Sequence, residues 1–136
     1  MARIASSIIM NSEGKILIMK RSDKVRTYKG MWGVAAGYIE EDETPLETAY
    51  KEIREETGIE GEYLTLLKQF EPVEINDIYE DKNYNWIIYG FLFKSKKKDK
   101  VNIDWEHTEW RWIAPSEIKN YKTAPHLKDM VFKMTM

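Results

Sequence analysis

The sequence contains no cysteine and only two histidines, His107 and His126. The lack of thiols excludes a disulfide framework, thiol catalysis and every metal site built on thiolates. Two histidines are also too few for a histidine-rich zinc site. Any metal should therefore be a hard cation that is held by oxygen ligands.

A basic excess and a long membrane-type segment are also missing. The chain carries 21 lysines and arginines against 23 aspartates and glutamates, a net charge of −2. This balance argues against a strongly basic nucleic-acid binder, so no long nucleic acid is expected as a partner. The apolar stretch at residues 4–10 is too short for a signal peptide or a membrane span. We expect a cytoplasmic protein without a membrane partner.

The composition is that of one folded domain. The chain has 136 residues, of which 43% are hydrophobic and 32% charged, and it contains no internal repeat and no linker rich in proline, glycine or serine. We therefore predict a single domain over residues 1–136.

Short strand patterns surround one clear helix, which indicates an α/β fold with a sheet flanked by helices. In residues 86–93, apolar side chains occupy both the odd and the even positions, which predicts a strand buried on both faces. The lysine-rich run 94–100 is predicted to be a solvated hairpin tip. The other expected strands cover residues 4–10, 15–20, 32–36, 62–70 and 110–114, and the expected helices cover 44–57, 115–121 and 125–134.

The helix at residues 44–57 is delimited by its own sequence. Thr44 is a suitable N-cap, Pro45 suits the first helical position, and Glu47 completes a capping box. Gly58 is suited to end the helix.

Three acids of this helix, Glu52, Glu55 and Glu56, fall within an arc of about 100° on one face. Like charges at these spacings destabilise a helix by about 0.2–0.5 kcal/mol per pair. A divalent cation would cancel that repulsion, since Mg²⁺ takes oxygen ligands. The alternative for the helix alone is an ordinary solvated acidic face.

Residues 37–59 resemble the Nudix box, which consists of G, five residues, E, seven residues, R-E, an aliphatic, any residue, E-E, any residue, G and an aliphatic. Eight of the nine specified positions match, and Lys51 replaces the usual arginine. The chain is thus similar to MutT-like Nudix hydrolases. The matching positions are Gly37, Glu43, Glu52, Ile53, Glu55, Glu56, Gly58 and Ile59.

This resemblance implies an α/β/α sandwich with a mixed sheet, and a pyrophosphohydrolase that cleaves nucleoside diphosphates linked to a further group X. It implies Mg²⁺, with Mn²⁺ as a substitute, held by Glu52, Glu55 and Glu56 and by a backbone carbonyl at Ala36 or Gly37. Glu52 is the first choice for the general base. The alternatives are Glu106, which could equally be a further metal ligand, and Glu109, with Asp104 less favoured.

Substrate contacts are predicted from residues near the box. Arg21 at a strand end could reach a phosphate, although it could also be an ordinary exposed residue. Trp32 and Lys51 are further candidates, and His107 is a candidate neighbour of the site. Several aromatic residues could stack on a base but suit a core equally well: Trp86, Tyr89, Trp105, Trp110 and Trp112.

We expect a small nucleotide as substrate, most readily a (deoxy)nucleoside triphosphate. Because Lys keeps the charge but not the planar fork of Arg, Lys51 should orient its acidic neighbours more weakly. The alternative is a non-catalytic Nudix-fold module that binds a nucleotide or a protein. Dimers are common in the family, so a homodimer is also open.

Overall fold

The computed structural model describes residues 1–96, 101–124 and 126–135. Two short 3₁₀ helices, Gly61–Tyr63 and Pro115–Asn120, supplement the regular elements. The strands are β1 (Ala2–Met10), β2 (Ile16–Arg21), β3 (Trp32–Gly33), β4 (Ala35–Tyr38), β5 (Leu64–Gln69), β6 (Val73–Tyr79), β7 (Lys82–Ser95) and β8 (His107–Ile113), and the helices are α1 (Pro45–Thr57) and α2 (Leu127–Thr135).

The strands form one mixed sheet in which β1 is central. It runs parallel to β7 over its whole length, from Ala2 opposite Trp86 to Met10 opposite Lys94. All other strand pairs are antiparallel: β1 with β2 and β4, β2 with β3 and β8, and β7 with β5 and β6. The prediction of a mixed sheet is confirmed.

Both faces of the sheet are covered, because neighbouring residues of a strand point to opposite sides. Ile9 and Phe93 pack in the cluster that contains Ile53 of α1. Their neighbours Ile8 and Leu92 pack in the cluster on the α2 side. Burying each such side chain contributes about 1.5–3 kcal/mol. This arrangement confirms the predicted sandwich and the prediction that the strand around residues 86–93 is buried on both faces.

The structure differs from the sequence prediction mainly around β7. This strand is longer than predicted, and β6, which forms a hairpin with it, was not predicted. The connecting residues Glu80 and Asp81 both have positive φ, 48° and 65°. The segment after Ala114 is a 3₁₀ helix.

Some predictions fall partly on residues that are not described. The expected hairpin tip at 94–100 includes residues 97–100, and the expected last helix begins at residue 125, which also lies outside the described residues. In the part of the chain that the structure does describe, no helix is both long and apolar enough to cross a membrane.

Candidate active site

Helix α1 is fixed at both ends by the predicted caps. Thr44 Oγ1 accepts from the backbone N of Glu47 at 3.1 Å, and Glu47 Oε1 accepts from the backbone N of Thr44 at 2.9 Å. Gly58 ends the helix at φ 75° and donates to the carbonyl of Arg54. These caps set where the acidic residues of the following turns lie against β4.

Lys51 holds the loop before α1 rather than facing the cavity. Its Nζ lies 2.6 Å from Glu43 Oε2, with both side chains partly buried. The other oxygen of Glu43 accepts from Thr48 Oγ1 at 2.9 Å and from the backbone N of Glu40 at 3.2 Å. Lys51 is not among the residues that line the cavity described below, and its contact in the structure is with the loop before α1.

Gly37 gives Glu52 the room it occupies. A Cβ built on Gly37 would lie 2.2 Å from Glu52 Cδ and 2.4 Å from Glu52 Oε1. Real Cβ atoms essentially never approach so closely. The glycine at this position therefore lets the Glu52 carboxylate lie directly against strand β4.

Glu56 is almost completely buried, with 1% of its surface exposed. Its Oε1 accepts from the backbone N of Ala36 at 3.4 Å, whereas its Oε2 has no hydrogen-bond partner. Burial raises its pKa well above the ordinary value, and the neighbouring carboxyl groups of Glu52, Glu106 and Asp104 add to the shift. A buried ionised carboxylate with a free oxygen is costly unless it takes up a proton or a cation compensates it.

The neighbouring carboxyls are mutually repulsive. Burial is the main cause of the raised pKa of Glu52 and of Glu106, and the charge of Glu55 adds to both shifts. Asp104 raises the pKa of Glu106 further. Glu55 itself is exposed to solvent. The structure thus brings the predicted Glu52, Glu56 and Glu106 into one acidic centre, with Glu55 at its solvent side.

No group of three acidic or histidine side chains within the described ranges is already arranged to hold a metal ion. The donors nevertheless suit a hard divalent cation, because they are carboxylate oxygens and one of them, Glu56 Oε2, is buried and unpartnered.

A cavity of about 470 Å³ opens beside these acids. Glu52, Glu106, Gly37, Arg21 and Trp32 all contribute to its wall. The remaining wall is largely apolar and aromatic and includes Ile4, Tyr28, Trp86, Ile88, Trp105, His126 and Met130. Charged and aromatic groups therefore meet in one cavity of a size that suits a small ligand.

Arg21 is held in place by Thr27. Its Nε donates to the Thr27 carbonyl at 2.9 Å and its Nη2 to Thr27 Oγ1 at 3.3 Å. Burial lowers its pKa, although the charges of Glu56 and Glu106 act in the opposite direction. Guanidinium carries five N–H donors, so three remain for an anionic ligand.

Trp32 is mostly buried and packs edge-on against Tyr121, with ring centroids 5.2 Å apart. The Arg111 guanidinium lies 5.1 Å from its ring centroid. Trp105, in contrast, is 62% exposed and lines the cavity. Of these two tryptophans, Trp105 is the one with free surface for a ligand.

Tertiary structure adds residues that sequence reasoning missed or ranked low. Tyr28 lines the cavity and hydrogen-bonds through its hydroxyl to Asp77, which is 49 positions away. Asp104, not favoured from sequence, accepts from His107 Nδ1 at 3.1 Å. The adjacency of Glu106 and His107 in the sequence marked His107 as a neighbour of the site, but nothing in the sequence marked its contact with Asp104 or the role of Tyr28.

Comparisons with known proteins agree with this architecture. The asymmetrical bis(5'-nucleosyl)-tetraphosphatase of Mus musculus is 31% identical over 107 residues, which cover 79% of this chain and 69% of that protein. Nucleoside triphosphatase NudI of Escherichia coli K12 is 25% identical over 120 residues, covering 83% and 82%. The solved structure of the E. coli dihydroneopterin triphosphate pyrophosphohydrolase has the same fold, with a TM-score of 0.82 at 18% identity and coverage of 98% and 94%.

The NUDIX domain family profile matches residues 1–134, nearly the whole chain. The chain belongs to the NUDIX family of hydrolases.

Proposed function

We propose that this protein is an Mg²⁺-dependent pyrophosphohydrolase of a small nucleotide, with a nucleoside triphosphate as its substrate, and that residues 1–136 act as one domain. The observation that carries the proposal is the buried, unpartnered Glu56 Oε2 in an acidic centre beside a cavity that also contains Arg21. Acids alone would repel a diphosphate, so the arrangement calls for a cation between them.

The metal ligands in this proposal are Glu52 and Glu56, with Glu55 and a backbone carbonyl at Gly37 or Ala36 completing the set. A divalent cation, when bound, supplies the positive charge that offsets the repulsion between carboxylates and phosphates and polarises the phosphorus centre. Mn²⁺ should substitute for Mg²⁺, because both accept carboxylate and carbonyl oxygen ligands.

Glu52 is the proposed general base and accepts the proton of the attacking water. Its carboxylate lines the cavity proposed for the substrate, and a carboxylate can accept a proton from water there. Glu106 is the alternative, since it lines the same cavity.

Arg21 and the aromatic wall are the proposed substrate contacts. The free N–H groups of Arg21 suit phosphate oxygens, because guanidinium binds phosphate through paired hydrogen bonds. Trp105 is exposed at the cavity and suits stacking on a base. The names of the mouse and E. coli relatives point to dinucleoside tetraphosphates and nucleoside triphosphates.

The test is a panel of nucleoside triphosphates, dinucleoside polyphosphates and ADP-ribose, incubated with the protein and Mg²⁺ and followed by mass spectrometry of the products. We expect cleavage at a diphosphate linkage by wild type and its loss in Glu56→Gln. Glu74→Gln is the matched control, because it removes an exposed carboxylate on β6. Tight nucleotide binding without Mg²⁺ and without cleavage would favour the non-catalytic module instead. A cytoplasmic location and a homodimer stay predictions from the sequence.

A further inference from the structure

A row of three side chains connects the loop before β8 to helix α1. Asp104 Oδ1 lies 3.1 Å from His107 Nδ1, and His107 Nε2 lies 3.7 Å from Glu56 Oε1. The side chains of His107 and Glu56 are 1% and 2% exposed. A carboxylate can only accept, so Nδ1 donates to Asp104, and this bond fixes the orientation of the ring.

The fixed imidazole limits how Glu56 can lie. One carboxylate oxygen, Oε1, faces both the His107 ring and the backbone N of Ala36. The other oxygen, Oε2, has no partner. The ring therefore forms one side of the space around Glu56, and Oε2 is the oxygen left for a ligand.

Asp104 also fixes the segment that carries Glu106. The same Oδ1 accepts from the backbone N of Glu106 at 3.2 Å. The carbonyl of Glu106 in turn accepts from the backbone N of Ser22 at 2.7 Å. One carboxylate oxygen thus links the orientation of the His107 ring to the position of Glu106.

We propose that Asp104 and His107 are positioning residues: His107, fixed by Asp104, orients Glu56 for cation binding, and Asp104 also holds the segment that carries Glu106. This inference rests on the proposed function, because it takes Glu56 as a metal ligand. Neither residue lies at the reacting atoms in this assignment; both act through the carboxylates that they hold.

The first test compares two substitutions of His107 by Mn²⁺ binding to the free protein, measured by electron paramagnetic resonance. An asparagine amide occupies roughly the position of imidazole Nδ1, and a glutamine amide that of Nε2. His107→Asn keeps the contact with Asp104 but loses the one with Glu56, so the Mn²⁺ Kd should rise about tenfold, within the range for residues that orient metal ligands. His107→Gln reaches the Nε2 position but loses the contact with Asp104, so its Mn²⁺ Kd should rise as well, and the Mg²⁺ concentration for half-maximal hydrolysis should follow the Mn²⁺ affinities.

The second test compares Asp104→Ala with a substitution that removes similar side-chain hydrogen bonds in another turn of the protein. Asn11 Oδ1 accepts from the backbone N of Glu13 and of Lys15, both at 3.0 Å, in the β1–β2 turn. Asn11→Ala therefore removes comparable hydrogen bonds between a side chain and the backbone of a turn, but in a turn that does not carry the acidic centre. Both variants should unfold at lower denaturant concentration, but only Asp104→Ala should weaken Mn²⁺ binding.

The results separate the two proposals. Wild-type Mn²⁺ affinity in a folded His107→Asn, or equal weakening by Asn11→Ala and Asp104→Ala, would overturn the positioning role and leave the proposed function standing. A wild-type protein that neither binds Mn²⁺ nor cleaves any nucleotide would overturn both.

Discussion

The replacement Gly37→Ala should separate activity from stability. The new Cβ would lie 2.2 Å from Glu52 Cδ, whereas ordinary contacts begin at 3.4 Å, so the Glu52 carboxyl must retreat by about 1.2 Å. Gly37 has no positive φ, so alanine suits its backbone. The Glu52 side chain from Cγ outward is what has to move, and the fold should be nearly unaffected.

The expected loss of activity follows from that displacement. A misplacement of about 1 Å costs about 100-fold in rate, or about 2.7 kcal/mol of transition-state stabilisation. The change in unfolding free energy should be small, because replacing glycine with alanine where the backbone permits it stabilises by about 0.4–1 kcal/mol. We expect kcat/KM to fall about 100-fold while the urea midpoint stays near that of wild type.

Gly90→Ala on β7 is the matched control for this experiment. Its Cβ would meet Met134 Cε at 3.6 Å, an ordinary contact, so activity should be retained. Wild-type kcat/KM in Gly37→Ala would refute the reasoning, since it would mean that the position of Glu52 against β4 does not matter for hydrolysis.

Three further outcomes are expected. Thr44→Ala removes the N-cap of α1 and should lower the unfolding free energy by about 1 kcal/mol in urea titrations. The pKa of Glu56 is raised in the folded protein, so protonation of Glu56 favours the folded state. This contribution to the free energy of unfolding is complete below the ordinary pKa of 4.5 and is lost as the pH rises through the folded pKa. Metal-free Glu56→Gln should therefore be more stable than wild type at about pH 8, with the difference shrinking toward about pH 5, and a constant difference would contradict this assignment. Lys51→Met breaks the pair with Glu43 and should lower the urea midpoint only slightly without changing KM, so a large rise in KM would place Lys51 at the substrate after all.

Features with local causes could be predicted from the sequence. Thr44, Pro45 and Gly58 act on the helix that they bound, so the ends of α1 follow from neighbouring residues alone. The hairpin of β1 and β2 is local in the same way, with Asn11 and Gly14 in its turn. The family motif also lies within one loop and one helix.

Features that depend on distant partners could not be predicted. Burial alternates along strand β6, but its sequence does not follow that alternation, because Val73 and Ile78 are exposed and Asp77 is partly buried; its pairing with β7 holds it in place. The helical arc groups Glu55 with Glu56, but only packing against β4 and β8 shows that Glu56 is the buried one. The contact between Lys51 and Glu43 likewise depends on how the loop folds back.

The parallel pairing of β1 with β7 has a consequence for how the chain reaches its folded state. Strand β1 lies at the centre of the sheet, yet its partner residues extend from Trp86 to Lys94. A nascent chain or a fragment that ends before β7 leaves Ile8 and Ile9 without the strand that covers their edge. Such long-range closure is slow compared with hairpin formation, so truncation before β7 should yield aggregation-prone products rather than a smaller folded unit.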